Sequence, residues 1–270
     1  VTLEAGTGCV HTAPGHGEDD WIVGKQYGLD CYSPIEDNGV FSKDVGEFAG
    51  QFIFKANKQI NEKLESLNLL LRNENLSHSY PHCWRCKQPV IYRATPQWFI
   101  SLDRAGKLGL RQKSLEAINQ VKWIPSWGRE RIYSMIENRP DWCLSRQRSW
   151  GVPIPIFHCK ECKAIYVTQE SIDKIHQLFC EHSSDIWFEK EAKELMPENA
   201  KCEKCGSSDF SKDHNILDVW FDSGVSHAAV LEEREGLSRP ADMYLEGSDQ
   251  HRGWFHSSLL TSVGRTGKAP

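Results

Sequence analysis

The sequence predicts an α/β fold interrupted by smaller inserted modules. Two observations carry that expectation. Strand-like apolar segments alternate with segments of helical periodicity, and paired cysteines mark a stretch where the alternation breaks. With 39% hydrophobic and 26% charged residues the composition is that of an ordinary globular protein, and 270 residues hold one large domain or two small ones. No run approaches the ~18 apolar residues that span a bilayer, and no signal peptide opens the chain, so it reads as cytoplasmic with no membrane partner. A net charge of −5 argues against a generally basic nucleic-acid binder while leaving room for local contacts. Val1 and Ala269-Pro270 read as cut ends of a longer chain.

Residues 1–54 are rich in Gly, Thr, Phe and Val, with turn signals at Pro14-Gly15, Ser33-Pro34 and Asn38-Gly39. Short strands and loops are expected there, with one helix from about Asp19 to Tyr27 that Gly28 terminates. Ala56, Ile60, Leu64, Leu67 and Leu71 then recur at helical spacing, and the helix gives way to the polar run Arg72 to Asn75. Strand-like segments follow at Val90–Tyr92 and Trp98–Ile100, then helices near 103–119 and 127–138, then strand candidates at Trp142–Leu144 and Ile154–Phe157. A cysteine-bearing insertion fills roughly 158–210. The chain closes with a strand at Met243–Leu245, a glycine-containing turn, and a helix carrying Trp254, Phe255, Leu259, Leu260 and Val263.

Ten cysteines without a secretory signal suggest metal ligation before disulfides. Cys159-x-x-Cys162 and Cys202-x-x-Cys205 have the form of zinc knuckles, each a tight turn that aims two thiolates at one ion. Together they would complete a tetrahedral structural zinc site, with reduced, unmetallated thiols as the competing reading. Their separation exceeds usual ribbon spacing, so a subdomain is expected between them, where Cys180 and His182 are rival ligands. Cys83 and Cys86 form a third pair with no partner pair in this sequence, so a second zinc there needs ligands from outside it. Cys9, Cys31 and Cys143 are isolated and read as small packed apolar residues. Nothing near the pairs supplies the open position and adjacent acid or base of a catalytic zinc.

The segment Tyr244 to Trp254 reads as a strand ending in a polar loop that starts a helix. Ligands of open α/β sheets bind at such strand ends, and a helix N-terminus offers free N–H groups to an anion. Gly247 permits close backbone approach, Ser248 is a candidate cap, and Glu246, Asp249 and Gln250 can bind hydroxyls or an ammonium group. An ordinary capped helix with acidic residues in its first turn has the same pattern.

Five segments in this order resemble isoleucyl-tRNA synthetases: Gly6-Thr-Gly-Cys-Val-His-Thr-Ala-Pro-Gly-His-Gly-Glu-Asp-Asp20, Tyr80-Pro-His-Cys-Trp-Arg-Cys86, Asp141-Trp-Cys-Leu-Ser-Arg-Gln-Arg-Ser-Trp-Gly-Val-Pro153, Asp218-Val-Trp-Phe-Asp-Ser-Gly224 and Leu245-Glu-Gly-Ser-Asp-Gln-His-Arg-Gly-Trp254. The valine and leucine relatives share the architecture, but the last two segments look like the isoleucine enzyme. The resemblance implies a Rossmann-type class I synthetase core, present in part, with the end of a β-rich editing domain and a zinc-ribbon-like insertion. It divides the chain into the end of the editing domain (1–75), a return connection with a catalytic-core segment (76–157), the zinc-binding insertion (158–210) and a second core segment (211–270). The implied reaction joins isoleucine and ATP, with Mg2+, into isoleucyl-adenylate and transfers the isoleucyl group to tRNA(Ile). The intact enzyme is expected to be a monomer.

By the same resemblance Glu246, Gly247, Asp249 and Gln250 line the adenylate site, and Trp220 and Trp254 wall the isoleucine side-chain pocket, where flat rigid rings suit a dry slot. The other tryptophans are expected in the core. One methylene discriminates isoleucine from valine only weakly, so a hydrolytic second sieve is implied. Asp20 would anchor the amino group of a mischarged residue there and His11 would shape or polarise that pocket, a structural histidine on a strand being the competing reading. Asp19 is the solvent-facing residue at the helix start. Neither a His-x-Gly-His sequence nor a Lys-Met-Ser-Lys-Ser loop occurs; the resemblance places the first upstream and the second downstream, so this segment alone is expected not to form the adenylate. Two rival readings are a stand-alone editing deacylase and a non-catalytic zinc-ribbon nucleic-acid-binding module. The first needs a complete editing pocket, the second a basic face that the acidic insertion (Glu161, Glu170, Glu181, Asp185, Glu189, Glu191, Glu194) does not offer.

Overall fold

The computed structural model describes residues 4, 8–103 and 109–270. The chain divides into two compact units, Val1–Pro96 and Gln97–Pro270.

In the first unit helix α1 (Glu18–Tyr27) begins after extended Gly17, with Glu18, Asp19 and Asp20 in its first turn, where carboxylates favour the positive helix end. Gly28 ends it in the left-handed conformation at φ 68°. Helix α2 (Ile53–Ser66) stops earlier than the apolar spacing suggests. Asn68 adopts φ 57°, its N–H donates to Glu65 O and the Leu69 N–H donates to Leu64 O. That pair of bonds is a Schellman closure. Leu67 therefore caps the helix and Leu71 lies beyond it, fully exposed, so neither belongs to its apolar face. The expected strand at Val90–Tyr92 does not form; the chain is tied instead by the Val90 N–H to Pro81 O and the Ala94 N–H to Gly15 O. Ala56 is the buried hydrophobic residue of this unit among the described residues.

The second unit has two cores. Helices α3 (Leu110–Gln120), α4 (Trp127–Glu137) and α9 (Trp254–Thr266) bury Leu115, Ile118, Ile132, Ile136, Leu259, Leu260 and Val263 together with Leu102 and Trp142. These positions recur at three- and four-residue spacing, which puts them on one stripe of each helix. Helix α3 begins later than the expected 103–119, and the part of that expected helix over 104–108 lies outside the described residues. Strand β1 (Phe99–Ile100) pairs antiparallel with β2 (Trp142–Cys143), and β3 (Ser145–Arg146) with β7 (Ile216–Leu217).

Between β3 and β7 lies the second core. Strands β4 (Phe157–Cys159), β5 (Ile165–Tyr166) and β6 (Phe210–Lys212) form an antiparallel sheet in the order β5-β4-β6. Helices α5 (Gln169–His182), α6 (Ile186–Glu189) and α7 (Ala192–Leu195) connect β5 to β6. Helix α5 opens with a Thr168–Ser171 capping box, and Trp187, Phe157, Ile175 and Leu195 fill the interior. The strand expected at Ile154–Phe157 begins only at Phe157, because Pro153 and Ile154 face Ile216 and Asn215 through an isolated bridge and the Ile154 N–H bond to Asn215 O.

Among the described residues every strand pair is antiparallel, so the parallel sheet of a doubly wound core is not formed here. Met243–Leu245 forms no strand, and Met243 and Leu245 are exposed; a segment without a neighbouring strand has no ladder to join. The tryptophans also depart from expectation: only Trp142 and Trp187 are buried, while Trp21, Trp84, Trp127 and Trp150 are exposed. Cys9 and Cys31 are likewise exposed and Cys143 half-buried, so the first two are not packed as apolar residues. No described helix is long and apolar enough to cross a membrane.

Two predictions follow the packing. Leu260→Ala, at 1% exposure, is expected to cost about 2–5 kcal/mol in denaturant unfolding, and Leu71→Ala less than about 0.5 kcal/mol. His256, on the core face of α9, has its pKa pushed from 6.5 down to about 3 by burial and by the Arg139 charge. Between those values the unfolded chain takes up a proton that the folded chain refuses, so stability falls as pH drops through that window. The melting temperature of the unaltered protein, taken relative to that of His256→Gln, is expected to decline from pH 7 to pH 4; a constant difference refutes this.

Candidate functional site

Two assemblies in the second unit draw together residues that the sequence singled out. The first is a junction of α8 (Val219–Gly224), a 3-10 turn (Ser248–Arg252) and α9. Helices α8 and α9 pack closely because Gly224 has no side chain: a Cβ there would lie 2.9 Å from Ser257 O. Thr261 Oγ1 donates to Gly224 O at 2.7 Å across the same contact. Gly253 plays the matching part at the start of α9, since its Cβ would meet Trp220 Cη2 at 3.0 Å and collide with Gln250 Oε1. Trp220 and Gln250 thus converge on one backbone position.

Trp254 is fixed on two sides. Its indole Nε1–H donates to Ser223 O at 3.0 Å and to Ser226 Oγ at 3.1 Å, and its ring stacks on Tyr244 with centroids 4.3 Å apart and planes 14° from parallel. Burial raises the Tyr244 pKa, partly countered by a hydrogen bond with Ser226. The sequence pattern did not single out Tyr244 or Ser226 as braces; a stacking partner for Trp254 is a tertiary contact with no period to betray it. The expected cap, Ser248, makes no side-chain bond to the turn; Gln250 Oε1 accepts the Trp254 N–H at 3.0 Å instead, because the α-helix starts only at Trp254. Gln250 Nε2 also donates to Asp249 Oδ2 at 2.7 Å. Glu246, Gly247 and Asp249 are exposed on the approach to this turn, and Trp220 keeps 44% of its surface open. Two indoles, a half-buried amide and exposed carboxylates gathered at one junction can hold a small ligand with an apolar branch and a polar end.

The second assembly is a candidate metal centre. The Sγ atoms of Cys159, Cys162, Cys202 and Cys205 all lie within 4.8 Å of one another. Both turns have one geometry: the Lys163 N–H returns to Cys159 O with Lys163 at φ 58°, and the Gly206 N–H returns to Cys202 O with Gly206 at φ 74°. Such a left-handed residue after the second cysteine turns both thiols inward. The Cys162 backbone N–H pulls the Cys159 thiol down to about 6, and the Cys205 backbone N–H likewise lowers Cys202. Cys205 goes the other way, up to about 12: the Ser207 N–H favours its thiolate, but its bonds with the neighbouring sulfurs keep it as the thiol. A cluster that already favours thiolate at two positions suits a soft divalent ion with four sulfur ligands. Cys180 and His182 are exposed on α5 and outside the cluster, so neither rivals those ligands.

In the first unit Cys83 and Cys86 repeat the same turn, with the Lys87 N–H to Cys83 O at 2.8 Å and Lys87 at φ 61°, and the Cys86 N–H lowers the Cys83 pKa. No further sulfur or imidazole joins them in a cluster among the described residues. Asp20 Oδ2 accepts the Ala13 N–H at 3.0 Å, which folds the Ala13–Asp20 loop onto the start of α1. His11 is exposed in that stretch and Asp19 faces solvent as expected.

A family model described as tRNA synthetases class I (I, L, M and V) matches residues 24–270. The isoleucine--tRNA ligase of Syntrophotalea carbinolica is 61% identical over 264 residues, 98% of this chain and 28% of that protein. That of Syntrophomonas wolfei subsp. wolfei is 59% identical, and that of Geobacter sulfurreducens 57%, each over 270 residues that make up 100% of this chain and 29% of theirs. The chain thus spans less than a third of the length of these curated relatives. With its model matched over nearly every residue, the chain belongs to the class I tRNA synthetase family (I, L, M and V).

Proposed function

We propose that this chain is a segment of an isoleucine–tRNA ligase, whose intact form activates isoleucine with ATP and Mg2+ to isoleucyl-adenylate and esterifies tRNA(Ile). The observation that carries the reading is the convergence of Trp220, Gln250 and Trp254 on the Gly253 turn, in a chain similar along its whole length to proteins bearing that name. Trp220 and Trp254 wall the aliphatic side chain of the amino acid. Glu246 and Asp249 offer carboxylates to its ammonium group and to ribose hydroxyls, Gln250 an amide, and Gly247 room for close approach. In activation the amino-acid carboxylate attacks the α-phosphate and pyrophosphate leaves; the two phosphate-handling signatures absent here belong elsewhere in the parent. The parent acts as a cytoplasmic monomer.

The domain assignment follows the same reading: 1–75 the end of an editing domain, 76–157 and 211–270 parts of the Rossmann-type core, and 158–210 a zinc-ribbon-like insertion. In the editing part Asp20 binds the ammonium group of a mischarged valyl residue; its Oδ2 accepts from Ala13, and its second oxygen is available for that contact. His11, exposed nearby, polarises the pocket. Cys159, Cys162, Cys202 and Cys205 hold a structural Zn2+, which fits four convergent sulfurs and has no open position for chemistry. Cys83 and Cys86 are half of a second site completed from outside this segment.

Full-length protein is expected to catalyse isoleucine-dependent ATP–pyrophosphate exchange, and this segment alone none. Trp220→Ala is expected to raise the KM for isoleucine roughly tenfold or more. Exchange that is absent, or that responds to another amino acid, overturns the assignment. Cys202→Ser is expected to lower the zinc content measured by atomic emission by about one equivalent per chain, and Cys180→Ser to leave it unchanged.

A further inference from the structure

Asp218 is a buried carboxylate of the second unit outside the residues assigned above. It is 4% exposed. Its Oδ2 accepts from Trp142 Nε1 at 3.0 Å and from Arg146 Nη2 at 2.8 Å, while Oδ1 accepts the Trp220 N–H at 3.2 Å. Asp218 is thereby the N-cap of α8, a helix of six residues whose second residue is Trp220. Arg146 does not touch the junction itself. Its Nη1 donates to Cys143 O and Ser145 O, both at 2.9 Å, so one edge of the guanidinium is locked to the β2–β3 corner while the other holds the carboxylate.

We infer that Arg146 is a positioning residue for amino-acid recognition: through Asp218 it sets the orientation of Trp220. The inference rests on the reading of Trp220 as a wall of the isoleucine pocket. A buried carboxylate is retained as an anion only while charge and hydrogen bonds compensate it. Without Arg146 the carboxylate loses its ion pair and turns toward water, the cap on the Trp220 N–H goes with it, and the first turn of α8 frays. Because α8 is so short, that turn is the one bearing the indole. The fold itself survives, since Trp142 keeps its place in the core and Arg139, 5.4 Å over its ring, remains a second cation near Asp218. The Arg146 geometry also needs a planar fork that a single ammonium cannot reproduce.

The test uses the full-length protein and amino-acid-dependent ATP–pyrophosphate exchange. Arg146→Ala is expected to raise the KM for isoleucine about tenfold, with the KM for ATP and the exchange kcat unchanged. Asp218→Asn is expected to act similarly, and the double variant to be no worse than Asp218→Asn alone, because both act through one contact. Arg146→Lys is measured alongside, so that a folding loss in the alanine variant does not stop the experiment; it too is expected to raise the isoleucine KM. If Trp220→Ala raises that KM while neither Arg146 variant does, the inference falls and the pocket reading stands. If Trp220→Ala has no effect either, the pocket reading itself is at fault. Equal losses in kcat and in both KM values mean general damage and also overturn the inference.

Discussion

Much of the second unit hangs on one buried carboxylate. Asp218 accepts the Trp142 indole N–H, the Arg146 guanidinium and the Trp220 backbone N–H, and its own N–H donates to Leu144 O. Those bonds join the β2–β3 corner to the start of α8 and reinforce the antiparallel pairing of β3 with β7 just before it. A charge held below the surface in this way tolerates little rearrangement, because each lost donor leaves an anion in a poorly solvating place. The rigidity passes to Trp142, which packs into the helical core, and to Trp220, which stands at the candidate site.

A second buried carboxylate does similar work nearer the cysteine-bearing part. Asp213 Oδ2 receives Trp98 Nε1 at 2.9 Å and faces His158 Nε2 at 3.0 Å, and Oδ1 receives both the backbone and side-chain N–H groups of Asn215. These bonds hold its pKa low despite burial. The strands that enter and leave the four-cysteine module, β4 and β7, are thus anchored at their roots. The thiols at the far end complete the module by converging on a shared centre, where turn geometry and backbone N–H groups already favour thiolate at Cys159 and Cys202.

The contrast between the two units is one of buried area. The second holds two contiguous hydrophobic cores; the first buries Ala56 and leaves Trp21, Ile22, Tyr27 and Leu69 open. Its loops are held largely by polar ties, such as Asp20 to Ala13 and the Arg93 guanidinium to Ile35 O and Asp37. Hydrogen bonds of this kind fix local shape but contribute little net stability compared with apolar burial.

The sequence by itself determined what depends on neighbours along the chain. Gly28 ends α1, the stripe Leu115, Ile118, Ile132 and Ile136 marks helices α3 and α4, and the Cys-x-x-Cys spacing sets both knuckles, because each is a matter of local dihedral preference or period. The five motif segments likewise pointed to the family that the comparison over residues 24–270 shows. Tertiary structure decided the rest. Leu67 and Leu71 fit a helical period but lie past an Asn68 closure, and Met243–Leu245 has strand chemistry but no partner strand. The bracing of Trp254 by Tyr244 and Ser226, the cap supplied by Gln250 and the Arg146–Asp218 pair join residues distant in sequence or offset from any period. Hydrogen bonds and ring stacking between such residues obey geometry in space, and only the folded chain sets that geometry.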